Sequence, residues 1–134
     1  MSLVIVGSGL AGYLLLKGLR DRGYAGKIHV ITEEAGHFYT KPMLSNACAK
    51  NKQPHDLISL DADQMVARYD FVLHAASKVV DIDRQAKQIH LANGQTLAYE
   101  KCVLAVGAHP RLLPDDQEAH VMRINHWAAY QHFR

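Results

Sequence analysis

Leu3-Val4-Ile5-Val6-Gly7-Ser8-Gly9-Leu10-Ala11-Gly12 is a short apolar run that ends in glycine and passes directly into a helical pattern. A continuous β-branched run of this kind reads as a strand buried on both faces of a parallel sheet. Beyond it, Ala11, Leu15 and Leu19 fall at near-helical spacing, and Gly23 offers a C-terminal stop. Ile28-His29-Val30-Ile31-Thr32 then reads as a second strand. Strand, glycine turn, helix and strand within about 30 residues make a βαβ unit, which is expected to be parallel and right-handed.

The turn itself is Gly7-x-Gly9-x-x-Gly12, placed after a buried strand and at the start of a helix. In that position each glycine has a separate reason. Gly7 permits the tight turn, Gly9 lets the backbone approach a pyrophosphate, and Gly12 lets helix and strand pack closely. The helix N-terminus offers free N–H groups and partial positive charge to phosphate. Glu33 and Glu34 lie 21 and 22 residues after Gly12, near the spacing at which an acid takes the ribose hydroxyls. Together these features read as a dinucleotide site rather than as a glycine turn that merely joins two elements. They do not separate FAD from NAD.

Downstream the period changes. Residues 33–42 read as a loop and 43–50 as a short helix behind Pro42. Asp61 is placed to cap a helix burying Ala62, Met65, Val66 and Tyr69. Residues 71–73, 78–82, 88–91 and 96–99 read as short strands, and Asn93-Gly94 signals a type I′ hairpin. Cys102-Val103-Leu104-Ala105-Val106 is a second fully apolar run ending in glycine, and is expected to rejoin the parallel sheet. A terminal helix is expected over 125–133, with Trp127, Tyr130 and Phe133 as a packing stripe.

Composition narrows the function classes. In 134 residues, 15 Lys and Arg face 13 Asp and Glu, so neither a nucleic-acid footprint nor a polybasic membrane anchor is expected. Nothing approaches the roughly 18 uninterrupted apolar residues of a membrane span. Cys48 and Cys102 are the only cysteines and lie 54 positions apart, which fits a reducing, cytoplasmic setting. His120, His126 and His132 repeat every six residues, which does not put them on one helical turn, and they read as solvated histidines rather than metal ligands.

Three motifs occur in order: Val4-Ile5-Val6-Gly7-Ser8-Gly9-Leu10-Ala11-Gly12, Tyr39-Thr40-Lys41-Pro42-Met43-Leu44-Ser45, and Leu104-Ala105-Val106-Gly107-Ala108-His109-Pro110-Arg111. With them the whole chain resembles the FAD-dependent pyridine nucleotide–disulfide oxidoreductase superfamily, in its branch of rubredoxin, ferredoxin and flavorubredoxin reductases. The resemblance implies an α/β, Rossmann-like FAD/NAD(P)-binding fold whose parallel sheet is crossed by a three-stranded antiparallel meander. It also implies FAD as cofactor, held at the pyrophosphate by Gly7, Gly9 and Gly12, with Ser8 and Ala11 lining the turn.

Residue by residue, the resemblance points to Glu34 over Glu33 for the ribose, while Thr32 stands where other branches carry that acid. Lys41 and Pro42 become flavin neighbours, and Val79 an adenine contact through its backbone. Ala105-Val106-Gly107 replaces the family's Ala-Thr-Gly, keeping backbone contacts to FAD from Ala105 and Gly107 and losing the threonine side chain. Asn46 stands in place of a second flavin lysine. A cation beside the ring suits the negative charge of reduced flavin.

The resemblance implies a parent enzyme in which NAD(P)H reduces FAD and single electrons pass to rubredoxin or a similar small iron protein. Cys48 has no partner at CxxxxC spacing, so a disulfide step is not implied. No second GxGxxG follows, and neither a late Gly-Asp motif nor an interface domain is present. The expectation is thus the N-terminal part of an FAD-binding domain, without the NAD(P)H and C-terminal domains, and inactive by itself. No covalent catalyst is expected among these residues. A stand-alone NAD-sensing regulatory domain is the alternative, although such domains continue strand–helix–strand where this chain reads as a meander. An NAD-dependent dehydrogenase domain is a weaker third reading, since no catalytic Tyr-x-x-x-Lys or His–Asp pair is evident.

Overall fold

The structure, a computed structural model, describes residues 2–111 and 121–134. Strand β1 (Ser2–Val6) leads through the glycine turn into helix α1 (Leu10–Asp21) and then β2 (Lys27–Ile31). A 3-10 turn at Lys41–Met43 continues into the single-turn helix α2 (Leu44–Ala47), and a second 3-10 turn spans Pro54–Leu57. Helix α3 (Ala62–Tyr69) precedes β3 (Val72–His74). Strands β4 (Val79–Asp83), β5 (Gln88–Leu91) and β6 (Thr96–Ala98) follow, then β7 (Lys101–Leu104) and helix α4 (Trp127–Phe133).

Four strands form one parallel sheet in the order β3-β2-β1-β7, and β4-β5-β6 form a separate antiparallel meander. The expected α/β architecture is thus present, with the chain returning to the central sheet at Lys101–Leu104 beside β1.

From Leu3 to Val6 strand β1 is apolar because both of its faces are covered. Leu3 and Ile5, with Ile28 and Val30 of β2, pack against Tyr13 and Leu16 of α1 and against Met65 and Phe71. On the opposite face Val4, Val6 and Ile31 pack against Ile89 and Leu91 of the meander. A third cluster joins Tyr39, Leu44, Ala47 and Leu57 to Tyr130 of α4.

Several expectations shift in detail. The buried face of α1 runs through Gly12, Tyr13 and Leu16, with Leu15 and Leu19 at its edge, whereas Ala11 is exposed. Close approach of Gly12 to the turn sets this rotation. Strand β2 stops at Ile31, not Thr32, level with the end of its partner at His74, whose carbonyl takes the last ladder bond from the Thr32 N–H. Phe71 is a buried core residue that precedes β3 rather than opening it.

The hairpin between β5 and β6 is not type I′. Only Gly94 has positive φ (86°), and its N–H bonds the Leu91 carbonyl while the Leu91 N–H bonds Gln95. Ala92-Asn93-Gly94 therefore form a three-residue loop with glycine in the left-handed position. Helix α2 is shorter than expected and ends at Ala47. Helix α4 begins at Trp127, capped by the His126 ring, which accepts from the Ala129 N–H. In its stripe Tyr130 is fully buried and Trp127 partly so, while Phe133 is half-exposed. His126 thus has a structural task, and His120 lies outside the described residues.

Candidate functional site

The site forms where β1 meets α1. Gly7 adopts φ +112°, and a Cβ built there would stand 2.2 Å from the Ala105 carbonyl oxygen. No L side chain fits that conformation or that space. The Gly7 N–H donates to Ile31 O at 2.8 Å, and Ala105 N–H donates to Val6 O at 2.7 Å. The turn is therefore pinned between β2 and the chain leaving β7. Gly12 is buried, and a Cβ there would stand 2.1 Å from the Gly7 carbonyl oxygen.

Gly9 is the opposite case: a Cβ there would meet nothing within 4 Å. It occupies the N-cap of α1 with no side-chain cap, and the first turn carries no acid. The leading N–H groups of the helix thus have no capping side chain, and the space beside Gly9 is open, an arrangement suited to an anion. Ala11 is exposed at the same mouth, whereas Ser8 is buried and its hydroxyl donates to Thr32 Oγ1 at 2.8 Å.

From Thr32 the contacts run along the end of β2. Thr32 Oγ1 also accepts from the Glu34 N–H at 3.1 Å, and the Ala76 N–H bonds the Glu34 carbonyl at 3.1 Å. Glu33 is exposed, while Glu34 is half-buried. The Glu34 carboxylate is engaged on both sides. The Tyr39 hydroxyl donates to Oε2 at 2.6 Å, and the Lys41 ammonium lies 3.1 Å from Oε1. Tyr39 OH in turn accepts from the Trp127 N–H at 3.0 Å, which ties the first turn of α4 to this loop. Burial and the bond to Glu34 push the Tyr39 phenol well above its ordinary pKa, with the Trp127 N–H pulling the other way. It remains a protonated donor at neutral pH.

Of the residues singled out from the sequence, the structure brings Gly7, Gly12 and Ala105 into direct apposition, with Gly9 open beside them. It links Ser8 through Thr32 to Glu34, and Glu34 to Lys41. Pro42 is exposed within the 3-10 turn, where its carbonyl accepts from Ser45 Oγ at 2.9 Å. Gly107 is exposed two residues past Ala105. Val79 stands apart, opening β4 and packing on the cluster that holds Val6 and Ile31. Tyr39 and Trp127 were not singled out for the site. Tyr39 does stand inside the Tyr-Thr-Lys-Pro segment, but no spacing rule joins it to a backbone amide 88 residues away.

Cys48 is exposed, with its thiol 3.8 Å from the Tyr130 hydroxyl, and Cys102 is partly buried in β7. Among the described residues no helix is long and apolar enough to cross a membrane.

Comparison with known proteins agrees with this geometry. The family model described as pyridine nucleotide-disulphide oxidoreductase matches residues 1–134. The chain is 36% identical over 114 residues to a nitric oxide reductase FlRd-NAD(+) reductase of Aliivibrio fischeri, covering 85% of this chain and 30% of that protein. It is 33% identical over 113 residues to a rubredoxin-NAD(+) reductase of Pseudomonas putida, covering 84% of this chain and 29% of that one. The ferredoxin reductase for the CYP199A2 system of Rhodopseudomonas palustris superposes with TM-score 0.87 at 27% identity, over 98% of this chain and 33% of its own. The chain thus spans about a third of the length of these relatives. With the family model matched from end to end, the chain belongs to the pyridine nucleotide-disulphide oxidoreductase family.

Proposed function

We propose that these residues form the FAD-binding part of an NAD(P)H-dependent flavoprotein reductase that passes electrons to rubredoxin, ferredoxin or a similar small iron protein. The observation that carries this reading is the contrast among three glycines. Gly7 and Gly12 are each sealed against backbone at 2.2 and 2.1 Å, while Gly9 faces empty space above uncapped helix N–H groups. A turn that only connected two elements would have no need of that opening. Uncapped helix N–H groups beside open space suit the charge of a diphosphate. The names of the relatives, FlRd-NAD(+) reductase and rubredoxin-NAD(+) reductase, support the electron acceptor class.

In this reading the backbone at Gly7, Ser8, Gly9, Ala11 and Gly12 receives the pyrophosphate. A carboxylate just beyond β2, from Glu33 or Glu34, takes the adenosine ribose, and the Val79 backbone meets the adenine. Lys41 and Pro42 lie against the flavin, and Ala105 and Gly107 contribute backbone contacts beside the turn. When bound, FAD would supply the chemistry that accepts one hydride, and with it two electrons, and releases those electrons one at a time. The chain's own contribution is position and charge, with an ammonium at Lys41 favouring the reduced, anionic ring.

An absorption spectrum of the purified chain, titrated with FAD, tests this. Flavin bands that shift on binding, with quenched fluorescence at a 1:1 ratio, are the expected result. Binding of NAD(H) without flavin would replace this reading by that of a nucleotide sensor.

A further inference from the structure

We propose that the cleft between α1 and α3 is a binding site for a small aromatic carboxylate, a single ring with a short acid arm. The site lies away from the glycine turn and does not depend on the flavin reading.

Three observations carry it. First, the cleft is a cavity rather than a closed seam. Helix α1, helix α3 and the bridged pair Phe38 and Leu60 surround about 370 Å³. That is the small end of the roughly 300–1,000 Å³ of ligand pockets, which suits one ring.

Second, the floor is aromatic. Tyr13 and Met65 lie at its base, and the Phe38 ring meets the Tyr13 ring edge-on at 5.8 Å. The Tyr13 hydroxyl already donates to the Gly36 carbonyl, so Tyr13 contributes ring surface and no free hydroxyl. Aromatic edges and a thioether favour a ring over an alkyl chain.

Third, the rim is positive and uncompensated. Lys17 follows Leu14 by one turn of α1, and Arg68 follows Met65 by one turn of α3, so each shares a face with a residue of the cavity wall. No Asp or Glu lines the cavity. Among the described residues neither cation is paired with a carboxylate. The Arg68 guanidinium lies instead 5.6 Å from the centre of the Tyr69 ring. Two cations above an apolar floor call for an anion carried on a ring. A neutral ring leaves the cations unmatched, and an inorganic anion leaves the floor unmatched. Gly9 stands eight residues before Lys17, about 12 Å along the helix at 1.5 Å per residue, so this rim is not the mouth proposed for the diphosphate.

The experiment titrates the full 134-residue chain with phenylacetate and follows its amide NMR signals. Saturable shifts are expected at Leu14, Lys17, Ser59 and Arg68, with Gly9 unmoved. Neutral phenylethanol should bind more weakly. Lys17→Met and Arg68→Met should each weaken phenylacetate about one-and-a-half- to fivefold, the range of an exposed ion pair. Cyclohexylacetate, equal in charge but without a π-face, should bind about two- to tenfold more weakly than phenylacetate. Both substitutions are at exposed positions, and unshifted thermal melts check that the fold is kept. ADP should not displace phenylacetate. Shifts that are absent or do not saturate, an alcohol that binds as well as the acid, or unchanged affinity in the double variant overturns the proposal. Equal binding of cyclohexylacetate, or displacement by ADP, overturns it as well.

Discussion

A single missing side chain does different work at each glycine of the turn, and the difference can be measured. At Gly12 a methyl group would meet the Gly7 carbonyl oxygen at 2.1 Å and its carbon at 3.1 Å, backbone atoms that cannot swing aside as a side chain would. Gly12→Ala should cost at least the ~1–3 kcal/mol typical of overpacking, read as a fall in urea midpoint at constant slope. At Gly9 a methyl group meets nothing within 4 Å, and φ is an ordinary −70°. Gly9→Ala should keep stability within about 1 kcal/mol, the scale of an N-cap exchange. Its cost should appear in ADP or FAD affinity, because the methyl occupies the space proposed for the diphosphate. A Gly9→Ala chain that unfolds while binding normally would contradict this division. Gly12 answers to a clash five residues away and Gly7 to its own positive φ, so both are legible in a short stretch of sequence, whereas Gly9 is marked by no clash and is legible only through the spacing of the motif. The Glu34–Lys41 pair was not: seven loop residues can fold in many ways, and only the packing of Tyr39 against α4 selects one.

Elements were legible in proportion to how local their determinants are. Helix α3 is the clearest case. Asp61 accepts from the Gln64 N–H at 2.8 Å, and the Gln64 side chain reaches back to the Asp61 N–H at 3.0 Å. This reciprocal pair fixes the start of the helix within four residues of sequence. Asp61→Ala should cost about 1 kcal/mol, and Asp61→Asn much less, since either side chain accepts the same bond. Thermal melts of the two variants check it. The strands of the parallel sheet announced themselves as apolar runs, but their ends did not. Whether β2 stops at Ile31 or Thr32 depends on where its partner β3 ends, at His74, 43 positions later than Ile31. The hairpin at Asn93-Gly94 went the same way. The dipeptide fixed the place of the turn, while the register of Gln88 against Ala98 and Ile89 against Leu97 selected a three-residue loop. Helix α4 shows the limit. Its stripe is visible in sequence, but its partners Tyr39, Leu44 and Leu57 are long-range choices.

At the scale of the molecule, β1 is shielded by helices on one face and by the meander on the other, so polar side chains on the sheet fall on the strands flanking it. His29 of β2 and His74 of β3 occupy such positions, level with Val72 and Ile31 of the neighbouring strand. Their rings stack at 5.2 Å with an interplanar angle of 21°, and His29 Nδ1 lies 3.0 Å from His74 Nε2. One nitrogen must donate and the other accept, so the contact requires at least one neutral ring. Burial lowers the pKa of both from the ordinary 6.5, helped at His29 by His74 and Lys27, and at His74 by Lys27. The sign follows. A histidine whose pKa is lower folded than unfolded binds more protons when unfolded, so acid favours unfolding. Stability from this pair is complete above about pH 6.5 and declines as pH falls through the window below it. The urea midpoint of the wild-type chain should therefore be level from pH 8 to 7 and drop between pH 6.5 and 5, before the carboxylates titrate. His74→Gln removes one titrating ring and its repulsion of His29, so it should flatten that drop while keeping a hydrogen-bonding group beside His29. An equal slope in wild type and variant across this window would place the acid sensitivity elsewhere in the fold.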